Sequence, residues 1–186
     1  GYIHLKIMPG SEYDQVLRTF QLADRISINL EAPNAERLAK LAPRKSFSDD
    51  LIKPMMWFNK IRESVTPNHT RKGKLPSLTT QFVLGAVNET DLELLKTTEH
   101  LIRSFSLKRA YYSAFSPVPD TPLEGHLPGS HVRERRLYQA SFLLRDYGFT
   151  LEELPFKESG DLPTEIDPKL AWASANLQEE PIEINK

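Results

Sequence analysis

Between Ile26 and Asn34 the chain reads ISINLEAPN, where Ile26, Ile28 and Leu30 alternate with Ser27, Asn29 and Glu31 until a proline stops the run. A period of two predicts a strand with one apolar and one polar face. The same rhythm in YIHLKIMPG (2–10) predicts a strand on which His4, Lys6 and Met8 oppose Leu5 and Ile7. TTQFVLGA (79–86) predicts a third, with Thr79, Gln81, Val83 and Gly85 on one face and Phe82 and Leu84 on the other. RAYYSAF (109–115) predicts a fourth, where Tyr111 and Ser113 oppose Tyr112 and Ala114.

Between these strands the period lengthens to that of a helix. SEYDQVLRTFQLA (11–23) opens on Ser11 and Asp14 as an S-x-x-D start and carries Val16, Leu17, Phe20 and Ala23 at helical spacing. DDLIKPMMWFNKI (49–61) predicts a second helix whose early turns Pro54 disturbs. Thr90 and Glu93 form a T-x-x-E box ahead of Leu94, Leu95, Thr98, Leu101, Ile102 and Phe105 on one face. A further helix over 131–147 ends at Gly148, a left-handed cap, and Thr150 with Glu153 opens a short one. SVTPNHTRKGKLPS (64–77) reads as a polar, basic loop, and the tail from Leu162 onward is too broken by proline to assign.

Strand–helix alternation four times over predicts an α/β fold with a parallel sheet and right-handed crossovers. One face of each strand is apolar enough to carry helices, and the other is repeatedly polar. A closed eight-stranded barrel fills its interior with layers of branched apolar side chains, which these strands do not supply. The expectation is therefore an incomplete (β/α) TIM-like barrel, laterally open around a polar interior. A helical, proline-rich C-terminal extension follows, with residues 1–130 forming the barrel part and 131–186 the extension packed on it. Four strands cannot close, so two bare edges are expected. The competing reading is a four-stranded sheet with one solvated face.

Composition narrows the function more than the fold. Lys+Arg of 24 against Asp+Glu of 25 leaves no global electrostatic pull toward nucleic acid or membrane. With no cysteine, this chain offers neither disulfides nor thiolate metal ligands. The five histidines show no metal-ligand spacing, and no Ser/His/Asp order or phosphate-cradling glycine loop stands out. No run approaches the ~20 apolar residues of a membrane helix. No secretory signal is evident, so a cytoplasmic location is the expectation.

SINLEAP, FVLGAVNET and YYSAFSPVPDTPLE resemble the fourth, fifth and sixth strands of radical S-adenosylmethionine enzymes, and HLKIMPG resembles the third. ADRISINLEAPNAERLAKLAP, TTQFVLGA, RAYYSAFSPVPDTPLE, RLYQASFLLRDYGF and DPKLAWA look closer still to one subfamily, the radical S-adenosylmethionine proteins of DNA modification and repair. The resemblance covers nearly the whole chain, and the order and spacing of the stretches carry it more than any one of them. The family's C-x-x-x-C-x-x-C loop is absent, because the chain starts at what would be the third strand. Resemblance thus implies the second half of such a barrel. A [4Fe-4S] cluster would be bound outside this chain, in the N-terminal half of the same barrel, and the isolated chain would be inactive. The parent enzyme would generate a 5′-deoxyadenosyl radical that abstracts hydrogen from substrate.

On that resemblance Asn29 and Glu31 form an N-x-[DE] pair that binds the cofactor's ribose. A carboxylate accepts from vicinal hydroxyls, an amide donates and accepts, and two same-face residues lie ~7 Å apart along a strand. In the competing reading Asn29 pairs with neighbouring strands and Glu31 caps the next turn. The resemblance also places Gly85 and Glu89 beside the adenosyl moiety, and Ala114, Phe115 and Ser116 at the adenine edge. Against this, Glu89 is equally an ordinary helix-start carboxylate, and Phe115 equally a core aromatic. His4, Lys6, Gln81 and Tyr111, together with Arg44 and Lys45 of APRKSF, become candidates for the substrate wall; Lys6 also has an ordinary ion pair open to it in Glu31. HTRKGK could touch a phosphate backbone or simply be a solvated loop, so nucleic acid is a candidate partner. Two other functions remain open. One is a non-catalytic binding or scaffold module using the polar sheet face. The other is a conventional barrel enzyme acting on a phosphorylated metabolite through Lys6.

Overall fold

The computed structural model describes residues 1–177, and residues 178–186, the end of the proline-broken tail, lie outside them. The fold is α/β. Strands β1 (His4–Lys6), β2 (Arg25–Ser27), β3 (Ser77–Leu84) and β4 (Arg109–Ala114) form a parallel sheet in that spatial order. The register pairs Lys6 with Ser27, Ser27 with Thr79, Thr79 with Arg109, and Gln81 with Tyr111. An unreversed order with right-handed crossovers puts every connecting helix on one face. Helices α1 (Tyr13–Leu22), α3 (Lys53–Ser64), α4 (Asp91–Phe105) and α5 (His131–Asp146) accordingly pack as a row, each on the next.

That face is the core. Ile26, Ile28, Leu30, Leu78, Phe82 and Leu84 are buried against Val16, Phe20, Met55, Phe58, Leu94 and Leu101. Phe20 meets Phe58 with centroids 5.2 Å apart, and Phe82 stacks on Tyr112 at 5.9 Å. Each fully buried side chain of this size contributes ~1.5–3 kcal/mol over its exposed state. Burial pushes the Tyr112 phenol up and keeps it neutral, its oxygen bonded at 2.8 Å to the Thr98 hydroxyl. Leu137, Ala140, Leu143, Leu144, Leu154 and Leu162 join the same cluster, so the residues after 130 share one core with the sheet.

Several local expectations change. The first helix is capped one residue later than the Ser11 start, by Glu12, whose capping box closes on Gln15. The helix expected over 49–61 divides into a π-helical turn, Phe47–Ile52, and α3, with Pro54 at the second position of α3, directly after the wider π turn. A short helix α2 (Ala35–Leu41), capped by Asn34, fills the segment after β2 that no periodicity marked. The Thr150 box opens only one 3₁₀ turn, Leu151–Glu153. In the tail, Asp167 and Pro168 start α6 (Pro168–Asn176), because proline at a first helical position is favourable. The Thr90–Glu93 box and the left-handed Gly148 after α5 are as read from the sequence.

The edges are unequal, which corrects the expectation of two bare ones. Along β4 the outward amide of Tyr112 donates to the Tyr138 hydroxyl at 3.1 Å, and that of Ala114 to the Glu134 carboxylate at 3.0 Å. Helix α5 therefore closes that side against another strand, a standard protection of a sheet edge. No strand among the described residues pairs with the outer side of β1.

Candidate functional site

The polar face of the sheet forms a cleft of about 270 Å³ lined by His4, Lys6, Ser27, Asn29, Thr79, Gln81 and Tyr111. Strand parity positions all of them, since the opposite parity is spent on the core. Asn29 and Gln81 are tied across β2 and β3 by an Asn29 Nδ2 to Gln81 Oε1 bond of 3.2 Å. Arg25, on the same face, donates through Nη1 to the Tyr111 hydroxyl at 3.0 Å.

At the carboxyl end of β2 the strand does not simply continue. Ser27 pairs with Thr79, but Glu31 pairs with Phe82, so one extra residue bulges out of β2 between them. The amide of Leu30, left without a ladder partner, donates to the Thr80 hydroxyl at 3.1 Å. Glu31 itself has φ +63, and the Ala32 amide closes a 2.7 Å bond to the Leu30 carbonyl around it. This is a γ-turn of the rare, strained hand. The bulge interrupts the alternation that put Glu31 level with Asn29. The turned backbone nevertheless holds the Glu31 carboxylate 3.9 Å from the Lys6 ammonium. The rest of the turn is anchored on both sides, by Glu31 N–H to the Gln81 carbonyl and Val83 N–H to the Glu31 carbonyl.

Other expected contacts are already occupied. Glu89 is fully buried and receives the Gly85 amide at 2.6 Å, the Val87 amide at 3.3 Å and Arg133 Nη1 at 2.8 Å. It clamps the loop after β3 and does not line the cleft. Gly85 has φ +84, and a side chain there would run into Gly129, whose Cα stands 3.2 Å from the position of a Cβ. Gly129 in turn lies against the Leu84 carbonyl and the Phe115 amide, with no room for a Cβ of its own. The amides of Ala114 and Phe115 are spent on Glu134 and on the Leu84 carbonyl, while Ser116 is exposed. The Phe115 ring stands edge-on to His126 at 6.5 Å. Arg44 and Lys45 sit in the turn after α2 and are not among the residues lining the cleft.

A second cavity, about 530 Å³, lies at the start of α4 and is lined by Gly85, Glu89, Asp91, Arg133 and residues of the 157–164 segment. Arg133 bonds Asp91 at 2.6 Å as well as Glu89. Burial raises the Asp91 carboxyl pKa in spite of Arg133. Burial also opposes the Arg133 charge, but the facing Asp91 and Glu89 carboxylates prevail and raise its pKa. The Leu162 amide donates to Asp91 and the Gly160 carbonyl accepts from the Leu92 amide, so this cavity belongs to a structural clamp.

Sequence reasoning missed Ser27 and Thr79 in the cleft, and Arg25 beside it on Tyr111, although the parity that selected Asn29 and Gln81 also selects them. It missed Arg133 and Gly129 because their roles depend on contacts made across the fold. No helix among the described residues is long and apolar enough to cross a membrane. No protein-family model and no curated protein matches the chain.

Proposed function

We propose that this chain is the second half of a laterally open radical S-adenosylmethionine barrel, β1 to β4 serving as its third to sixth strands, in an enzyme that modifies or repairs nucleic acid. The observation that carries the reading is Glu31: a carboxylate on strained backbone at the carboxyl end of a parallel strand, beside a polar cleft. Strain of this kind costs of order 1–3 kcal/mol and persists where a site uses it. The unreversed strand order, the polar inner face and the helix closing β4 also suit a barrel open at the side. Substrate class rests on the resemblance of the sequence alone.

The residues present fit the cofactor's ribose. Glu31 would accept from two vicinal hydroxyls, and Asn29, its amide nitrogen held by Gln81, would offer its Oδ1 to the same ligand. Ser116 is the exposed member of the adenine-edge trio, while Glu89 clamps the loop after β3 and Gly129 packs against the Leu84 carbonyl and the Phe115 amide. When bound, the cofactor supplies the radical that takes hydrogen from substrate. The chain does not fit the cluster, since it has no cysteine to offer as thiolate. The open β1 edge is where the N-terminal half of the barrel would pair.

The coding sequence upstream of this chain tests the reading. A C-x-x-x-C-x-x-C motif in frame, and release of 5′-deoxyadenosine by the anaerobically reconstituted full polypeptide, are the expected results. A complete upstream segment without that motif overturns it.

A further inference from the structure

Arg25 and Arg109 both belong to the polar face, and the ion pairs of the described residues involve neither. Each keeps a buried Nε with no hydrogen-bond partner. A half-buried guanidinium with no ion pair is costly, and a buried unsatisfied donor in a native fold calls for an explanation; Arg109 has the Asp146 carboxylate within electrostatic reach, so Arg25 is the less compensated of the two. Aromatic rings offset part of the cost. The Arg25 guanidinium lies 5.7 Å from the Tyr2 ring centre, and Arg109 lies 5.3 Å from Tyr111, 5.9 Å from Tyr138 and 5.6 Å from Phe142. Tyr111 thus joins the two cations, its hydroxyl taken by Arg25 and its ring by Arg109.

We propose that Arg25 is a phosphate-binding residue at the amino-terminal end of the cleft, with Tyr111 fixing its guanidinium and Arg109 raising the local potential. Of the three cations on this face, Lys6 faces the Glu31 carboxylate and Arg109 lies within electrostatic reach of Asp146, which leaves Arg25 as the one with no acidic partner among the ion pairs of the described residues. An anionic ligand would supply the counter-charge that Arg25 lacks, and a phosphate offers the guanidinium two oxygens at once. The guanidinium fork also matches phosphate oxygens in geometry, which a point charge does not. The segments entering β3 and β4 carry two more exposed cations, Lys74 and Lys108, the second with Asp146 within electrostatic reach. Asn29 lies four positions after Arg25, ~13 Å along an extended strand. A substrate held by its phosphate on Arg25 would therefore extend toward the carboxyl end, where Glu31 sits.

The proposal deepens the function proposed above by placing the substrate's phosphate. Phosphate binding needs neither cofactor nor cluster, so either idea can fail without the other. The test is calorimetric titration of this chain, without cofactor, with thymidylyl-thymidine, thymidine 5′-monophosphate and uncharged thymidine. Binding of either phosphate probe, and not of thymidine, is expected; a preference for the dinucleotide marks a polynucleotide source and one for the monophosphate a free nucleotide. Arg25→Met is expected to weaken that binding at least tenfold while the melting temperature holds or rises, because an uncompensated charge has been removed. A merely structural arginine would instead lower the melting temperature and leave affinity unchanged. Should Arg25→Met not fold, Arg25→Lys keeps a charge but loses the fork, and a loss of about threefold or more is expected. Equal binding of thymidine, no binding of either phosphate probe at millimolar concentration, or wild-type affinity in the folded variant overturns the proposal.

Discussion

Lys6 and Glu31 face each other at 3.9 Å from neighbouring strands, and the carboxylate of the pair sits on a γ-turn with φ +63. Lys6 is half exposed, so the pair itself contributes little. The turned backbone is the costlier element, because a residue with a Cβ loses ~1–2 kcal/mol in the left-handed region. Glu31→Gly and Glu31→Ala both delete the carboxylate, but only glycine relaxes the turn. Urea denaturation is expected to find Glu31→Gly more stable than Glu31→Ala by about 1 kcal/mol. Equal stability of the two would show that the turn carries no strain.

Much of this arrangement was legible in the sequence because a strand's two-residue period sorts side chains by face without reference to tertiary contacts. His4, Lys6, Asn29, Gln81 and Tyr111 line one cleft for that reason, and Ile28, Leu30, Phe82 and Leu84 are buried for the same reason. The bulge before Glu31 was not legible. It depends on which β3 residue each β2 amide finds, and the Thr80 hydroxyl that takes the Leu30 amide is 50 positions away. The closure of β4 was hidden likewise, since Tyr138 and Glu134 read locally as ordinary positions of an amphipathic helix. Helix α2 escaped because its seven residues bury only Leu38.

Arg133 is the residue whose loss the fold should feel most. Glu89 is fully buried, Asp91 nearly so, and both rely on the one guanidinium. Arg133→Met leaves two carboxylates in a dry site, and breaking a buried pair costs ~3–5 kcal/mol. The triple variant Glu89→Gln, Asp91→Asn, Arg133→Met should recover a large part of that loss. Chemical denaturation of the three proteins checks this, and a loss under about 1 kcal/mol for Arg133→Met would contradict the clamp.

Asp24 gives the chain an acid-side dependence. Lys72 first, then the Ile3 amide, with Arg71 adding to both, hold its carboxyl from the usual 3.8 down to about 2. A lowered folded-state value means that the unfolded chain takes up the proton first. The stabilisation from Asp24 is therefore fully present above about pH 4 and is lost as pH falls through 3.8 toward about 2. Thermal midpoints recorded from pH 5 to pH 2 should fall less steeply for Asp24→Asn than for the wild type. Parallel curves would contradict the pairing of the 64–77 loop with β1 through this carboxylate.

The cofactor role of Glu31 is the claim on which the functional account stands. Calorimetric titration of S-adenosylmethionine into the cluster-loaded full polypeptide, as wild type and as Glu31→Ala, measures it directly. Losing a charged acceptor is worth ~1.5–3 kcal/mol, so the variant should bind about ten- to a hundredfold more weakly. Its cluster absorbance should stay unchanged, because Glu31 is not a cluster ligand. Wild-type affinity in a folded, cluster-loaded Glu31→Ala protein would contradict the account.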